Sequence, residues 1–386
     1  MKTGDWLRLS RPRVMALALA LVTCVAVSVG VGAASASGPA PVGAGLPPIR
    51  HVFVINLENK GYTETFGPGS AAPYLTGTLR NQGNLITQYF GTAHQSLPNY
   101  VGQISGQGPN AQTQADCQVY TDFVAVTTVA AQQAVGTGCV YPSSVKTLPD
   151  QLTNAHFTWH GYLEDMGNNP TKNPTQATTC RHPVLNSIDD TQKARVGDQY
   201  AVRHNPFVYF HSLIDSPSCA ANDVPLDRLS SDLTRVATTS NYNMIVPNLC
   251  HDGHDAPCVD GQPGGLQSAD AFLKTWVPKI LSSPAYLQDG LLLVTFDESD
   301  GPQSDATACC GEGPSANSPM PGIAGSGGGR TGAVAISRFI KPGSLNDTPY
   351  NHYALLGSIE NLFGLSHLGY AQQPTYFFGR DVYTNR

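Results

Sequence analysis

Short apolar runs rich in β-branched residues recur along the chain, separated by stretches with helical periodicity. The run His51–Leu57 (HVFVINL) is apolar on both alternating faces, which predicts a strand buried on both sides. Leu85–Phe90, Thr158–Leu163, Tyr242–Pro247, Leu291–Phe296 and Thr331–Ser337 read as further strands. Between them, Pro73–Asn81 reads as a helix with proline in its first turn, where the missing N–H costs nothing. Pro98–Ile104, Thr147–Ala155 and Ala269–Leu281 are helical too, and Pro278 is expected to kink or end the last of these. His352–Phe363 reads as a closing helix. Strands alternating with helices predict an α/β fold, a three-layer sandwich around a largely parallel central sheet. Residues 106–145, 165–235 and 299–330 fit neither period and read as loop insertions into one domain spanning 51–386.

The N-terminus changes the picture. Lys2, Arg8, Arg11 and Arg13 precede an apolar run from Val14 to about Ala34, and Ala34-Ser35-Ala36 has the small-x-small form of a cleavage site. Residues 1–36 therefore read as a secretory signal peptide and 37–50 as a flexible leader, which implies a secreted or cell-envelope protein with no stable membrane span after cleavage. Of nine cysteines, eight lie beyond the apolar run, and an even count in an exported chain implies disulfides. Short loops favour Cys117–Cys139 and Cys250–Cys258; Cys180–Cys219 would close the intervening loop, and Cys309-Cys310 would form a vicinal bridge. Only 13% of residues are charged and the net charge is −6, which argues against a nucleic-acid binder. Any phosphate site must then be local rather than a broad basic face.

Polar residues gather where predicted strands end, the place where open α/β sheets hold ligands. The first strand runs into Glu58-Asn59, the strand at Tyr242 into Asn248 and the loop His251-Asp252-Gly253-His254-Asp255, and the strand at Leu291 into Asp297-Glu298. Three such ends in one sheet can converge on a cation; oxygen ligands suit Ca, Mg or Mn, and added imidazoles admit Zn or Fe. Each acidic tip is equally readable as a solvated turn. His94-x-Ser96-x-Pro98-Asn99 follows a strand and opens a helix, so Ser96 is either a nucleophile facing free N–H groups or a plain N-cap. His352 sits at the start of the last helix, and Arg203–Phe210 is dense in aromatics and reads as pocket lining or core. His156, His160, His182, His204 and His211 have no clustered partner in the sequence. Walker, nucleophile-elbow and zincin motifs are missing from the chain.

Taken in order, the Glu58-Asn59, His94-x-Ser96-x-Pro98-Asn99, Asn248-x-x-x-Asp252-x-His254-Asp255, Asp297-Glu298 and Asn351-His352 segments resemble the bacterial phosphoesterase family. That family includes secreted acid phosphatases and phosphatidylcholine-type phospholipases C, and belongs with the alkaline-phosphatase-like superfamily. The resemblance spans residues 51–365 and implies an alkaline-phosphatase-like fold. It implies that Glu58, Asn59, Asp297 and Glu298 bind a divalent metal ion and that Ser96 is the nucleophile. It also implies that His94, Asn99, His254 and His352 contact the phosphoryl oxygens. On chemical grounds Asn59 is a further substrate contact, His254 or His352 is the catalytic proton donor to the leaving oxygen, and Asp252 or Asp255 is placed to orient an imidazole. A full two-zinc ligand set and the glycine-rich tail of the phospholipases are not seen. The expected function is a secreted, metal-assisted phosphomonoesterase of broad specificity working through a phosphoserine, its partner a phosphate ester of a small molecule or lipid headgroup. The alternatives are a phospholipase C or other phosphodiesterase and, in another class, a non-catalytic surface-binding protein stabilised by Ca.

Overall fold

The computed structural model describes residues 45–168, 177–374 and 376–385. His51–Leu57 is a strand buried along its whole length, because it lies inside the sheet with parallel neighbours on both sides, Tyr242–Val246 and Gly290–Phe296. The eight-stranded sheet runs Ser344–Asn346, Asn84–Ile86, Ala333–Ser337, Gly290–Phe296, His51–Leu57, Tyr242–Val246, Trp159–Leu163 and Asp223–Pro225. Ala333–Ser337 runs antiparallel to both its neighbours, and every other pairing in this sheet is parallel.

Successive side chains of a strand face opposite sides, so the first strand feeds two cores. Val52 and Val54 pack with Leu97, Tyr100 and Ile104 of the helix Ser96–Ser105 and with Leu355, Leu356 and Ile359 of the helix His352–Phe363. Phe53, Ile55 and Leu57 pack with Leu75 and Leu79 and with Phe272, Leu273 and Val277 of the helix Gly265–Leu281. Helices on both faces make the three layers that the alternating pattern predicts. Each fully buried aliphatic side chain here contributes roughly 1.5–3 kcal/mol.

Three segments depart from expectation. Leu85–Phe90 is not one strand: Asn84–Ile86 stays in the main sheet, whereas Tyr89–Phe90 pairs in parallel with Tyr350–Asn351. That break turns the chain toward the ends of the central strands and delivers the segment 91–95 there. Pro278 lies inside its helix, which continues to Leu281. The carbonyl of Lys274, deprived of its partner by the proline, belongs to an exposed residue that water can serve. The insertion 165–235 is not wholly peripheral, since Asp223–Pro225 forms an edge strand of the main sheet.

The expected signal peptide, and the leader as far as residue 44, lie outside the described residues. At residues 45–50 the chain is already packed: Ile49 is buried, and Arg50 Nη1 donates to the Leu362 carbonyl at 2.9 Å. All four expected disulfides form: Cys117–Cys139, Cys180–Cys219, Cys250–Cys258 and Cys309–Cys310. Among the described residues no helix is long and apolar enough to cross a membrane.

Within the 165–235 segment, Arg181 is almost wholly buried and grips Asp198 with two parallel bonds, both 2.9 Å. Removing one partner of such a pair strands the other charge. Asp198→Ala is therefore expected to cost about 3–5 kcal/mol in urea unfolding; a loss below about 1 kcal/mol would contradict the buried pairing.

Candidate active site

Three adjacent parallel strands release the chain at one edge of the sheet. The backbone joins their ends: Glu58 N–H donates to the Asp252 carbonyl at 2.8 Å, and Asp297 N–H to the Leu57 carbonyl at 2.9 Å. Asp297 Oδ1 accepts from the N–H groups of Asn59 and Glu298 at 3.0 and 2.7 Å, which fixes its carboxylate. Gly253 (φ +111°) makes the close approach possible, since a Cβ there would stand 2.9 Å from the Glu58 carbonyl oxygen.

These contacts bring Glu58, Asp252 and Asp297 together with no exposed surface on any of them. A fourth member comes from the insertion. His204, at the end of the short turn Val202–His204, places Nε2 3.4 Å from Glu58 Oε1 and Nδ1 3.2 Å from Asp252 Oδ2. Its ring stacks on Tyr100, centroids 5.3 Å apart. The next residue, Asn205, donates to Asp223 Oδ2 at 2.8 Å and accepts from Phe207 N–H, holding the turn in place.

The distances to His204 are ion-pair distances, but the angles are not those of hydrogen bonds. Glu58 Oε1, Asp252 Oδ2, Asp297 Oδ2 and both His204 ring nitrogens are buried without a hydrogen-bond partner. One ligand atom each from Glu58, His204 and Asp252 lies within 4.8 Å of the others. Burial, then the charges of Asp297 and Asp252, hold the Glu58 carboxyl well above its ordinary range. Burial likewise raises Asp252 and pushes Asp297 up to about 6, and it drives His204 well down, toward the neutral imidazole that binds metals. Carboxylates and a neutral imidazole, buried, convergent and unbonded, fit a divalent cation with mixed oxygen and nitrogen ligands.

Ser96 stands against this group, its hydroxyl donating to Glu58 Oε2 at 2.7 Å. It is the first residue of its helix, and the preceding Gln95 makes no side-chain cap, so the N-cap alternative does not hold. The free N–H of Leu97 is taken by Asp116 Oδ1 at 3.0 Å.

The other expected residues divide. Asn59 adjoins the group, its Nδ2 3.5 Å from Glu58 Oε2. Asn99 is corrected to a positioning residue. Its Oδ1 accepts from Thr92 and Ala93 N–H and from the Thr92 hydroxyl, and its Nδ2 donates to the Ala93 and Gln95 carbonyls. Nothing is left for a substrate, and the loop that carries Ser96 is held instead. Glu298 and His94 engage each other: His94 Nδ1 pairs with Glu298 Oε2 while its Nε2 donates to the Asp305 carbonyl at 2.9 Å. His352 is corrected as well. Its Nε2 donates to the Asp297 backbone carbonyl at 2.6 Å, Nδ1 accepts from the Tyr89 hydroxyl at 3.1 Å, and burial lowers its pKa to about 4. With both nitrogens engaged inside the core, it positions Asp297 and has no free proton to give.

His254 lies at the rim, its ring centroid 6.0 Å from that of His204. Nδ1 faces Asp255 Oδ1 at 2.7 Å, and Nε2 accepts from Arg203 Nη2 at 3.3 Å. Asp252 orients the His254 backbone rather than its ring, accepting from the N–H at 2.7 Å. A surface groove of about 480 Å³ opens beside His254, lined among others by Lys193, Leu249 and Val259. Sequence reasoning missed His204 and Arg203. The available signal was the polar run Arg203-His204-Asn205 set directly before the aromatic stretch to Phe210, the segment that reads as pocket lining or core.

Residues 69–366 match the Phosphoesterase family. A probable acid phosphatase of Kluyveromyces lactis is 24% identical, over 83% of this chain and 59% of its own length. The phosphatidylinositol-3-phosphatase of Mycobacterium tuberculosis is 25% identical, over 85% of this chain and 81% of its own. The chain spans 54–59% of the length of the fungal acid phosphatases it matches. A solved protein of the alkaline phosphatase superfamily from Vibrio parahaemolyticus superposes with a TM-score of 0.48 at 13% identity, over 87% of this chain and 72% of that one.

Proposed function

The chain belongs to the phosphoesterase family, and from that premise we propose that it is an exported, cation-assisted hydrolase of phosphoric monoesters. The observation that carries the reading is the Ser96 hydroxyl donating to Glu58, one of four buried ligand residues whose facing atoms have no hydrogen bond. Similarity to acid phosphatases and to a phosphatidylinositol-3-phosphatase supports the reaction class, and the second brings a lipid-headgroup phosphate within the proposal. The basic, then apolar N-terminus and the four disulfides support export.

Ser96 Oγ attacks phosphorus in line and passes its proton to Glu58 Oε2, the atom it already donates to. The bond to the leaving oxygen breaks as the new Oγ–P bond forms. Water then hydrolyses the phosphoserine, releasing phosphate and returning the proton to Ser96. His254 sits on the groove side; in its imidazolium form, with Arg203 turned away from Nε2, it gives the Nε2 proton to the leaving oxygen and takes a proton back from the attacking water in the second step. Glu58, Asp252, Asp297 and His204 would hold the cation, which supplies positive charge to the phosphoryl oxygens when bound.

The test is turnover of p-nitrophenyl phosphate and bis-p-nitrophenyl phosphate by purified protein, from acidic to neutral pH, with Ca, Mg, Mn, Zn or Fe(II). Monoester turnover well above diester turnover is expected. Faster diester cleavage would favour the phosphodiesterase or phospholipase C reading. Inactivity on both with every metal would leave the Ca-stabilised binding protein.

A further inference from the structure

Two arginines are buried in the same insertion, and they are partnered differently. The Arg181 guanidinium is paired at close range by its parallel bonds to Asp198, both 2.9 Å. Arg203 is equally buried, with its side chain 4% exposed, yet each of its contacts is long. Nη1 lies 3.3 Å from the Gln192 carbonyl, Nη2 3.3 Å from His254 Nε2, and Nε 3.9 Å from Asp116 Oδ2. A permanent cation held under cover without a close carboxylate is expensive unless an anion joins it.

Asp116 marks where that anion goes. Its Oδ1 accepts the free N–H of Leu97, in the first turn of the ten-residue helix that Ser96 opens, while its Oδ2 faces Arg203. One carboxylate thus spans the gap between the turn that carries Ser96 and the guanidinium. A phosphoryl group on Ser96 that takes the Leu97 N–H over from Asp116 would lie on the side that faces the same arginine. Arg203 also follows the cluster geometrically, since it directly precedes His204 and touches His254 at the rim.

We infer that Arg203 reads the second negative charge of a phosphomonoester, moving from its long contacts onto the non-bridging phosphoryl oxygens, and so sets monoester over diester specificity. This rests on the hydrolase reading above. Near neutral pH a monoester carries close to two negative charges and a diester one. A guanidinium has the planar fork that binds two such oxygens at once. Movement of Arg203 toward the phosphate also frees His254 Nε2 on the leaving-group side.

The experiment measures kcat/KM for p-nitrophenyl phosphate and for methyl p-nitrophenyl phosphate, which share a leaving group and differ in charge. Arg203→Met is expected to lose about 10²–10³-fold on the monoester, the usual effect of removing one donor to a developing oxyanion. On the diester the loss should stay within about tenfold, and inhibition by inorganic phosphate should weaken in parallel with the monoester loss. Arg203→Lys keeps the charge without the fork, and should fall between wild type and Met on the monoester. Added guanidinium should restore Arg203→Ala on the monoester alone. Equal losses on both esters with no guanidinium rescue would overturn the inference and make Arg203 a packing residue of the His254 loop. Unchanged discrimination in Arg203→Lys would do the same should the Met and Ala variants not fold. Wild-type protein inactive on both esters would reject the hydrolase reading itself, a result distinct from an active enzyme that keeps its specificity without Arg203.

Discussion

Replacing Ser96 by alanine is expected to reduce monoester turnover at least about a thousandfold while leaving the fold intact, since single essential nucleophiles cost that much or more. The substitution removes one oxygen and opens little space. Helix initiation does not depend on the hydroxyl: Asp116 takes the Leu97 N–H, and the hydroxyl itself points at Glu58. Unfolding free energy should therefore stay within about 1.5 kcal/mol of wild type, the scale of one hydrogen bond. Acid-quenched wild-type protein, incubated with radiolabelled phosphate ester, should carry the label on the peptide containing Ser96. A variant that keeps more than about a tenth of the wild-type rate would remove Ser96 from the nucleophile role.

Metal content should follow the tertiary cluster and not the acidic pairs of the sequence. Asp252→Asn and His204→Gln are expected to lose most bound divalent metal and at least about a hundredfold in activity. Glu298→Gln should keep its metal, because Glu298 Oε2 is engaged with His94. The reasoning is electrostatic: three buried carboxylates at one strand edge repel one another, and protonation or a cation is needed to relieve them. Chelation should also lower the unfolding midpoint, and metal should restore it in a concentration-dependent way, since a ligand bound only to the native state stabilises it by mass action. Elemental analysis that finds the metal lost from Glu298→Gln but retained in His204→Gln would reverse the assignment. Full activity after exhaustive chelation, with no metal detected, would reject the cation altogether.

The hydropathy pattern alone determined the layers. His51–Leu57 and Leu291–Phe296 are apolar at consecutive positions, and only a strand covered on both faces can hide such a run. Glu58 and Asp297 were legible for the same reason: the first polar residue past a buried parallel strand has to emerge at the sheet edge where ligands bind. Ser96 was legible as a residue, but its role was not. The choice between a cap and a nucleophile turns on where the hydroxyl points, and Glu58, its acceptor, is far away along the chain.

What only the tertiary structure decided are the pairings across the strand edge. Asp297 and Glu298 look equivalent in sequence, yet consecutive residues leaving a strand start toward opposite sides. Asp297 joins Glu58 and Asp252, while Glu298 meets His94. Asn99 and His352 stand at the right places in the chain and are consumed by backbone groups, Asn99 by the loop before Ser96 and His352 by the carbonyl of Asp297. His204 and Arg203 show the converse, arriving from an insertion with no neighbouring ligand in sequence. Burial between Tyr100, Glu58 and Asp252 makes His204 a candidate ligand, and long contacts around a covered charge make Arg203 available. Local pattern dictates which residues are hidden; whether a hidden polar atom is satisfied depends on partners that only the folded chain brings within reach.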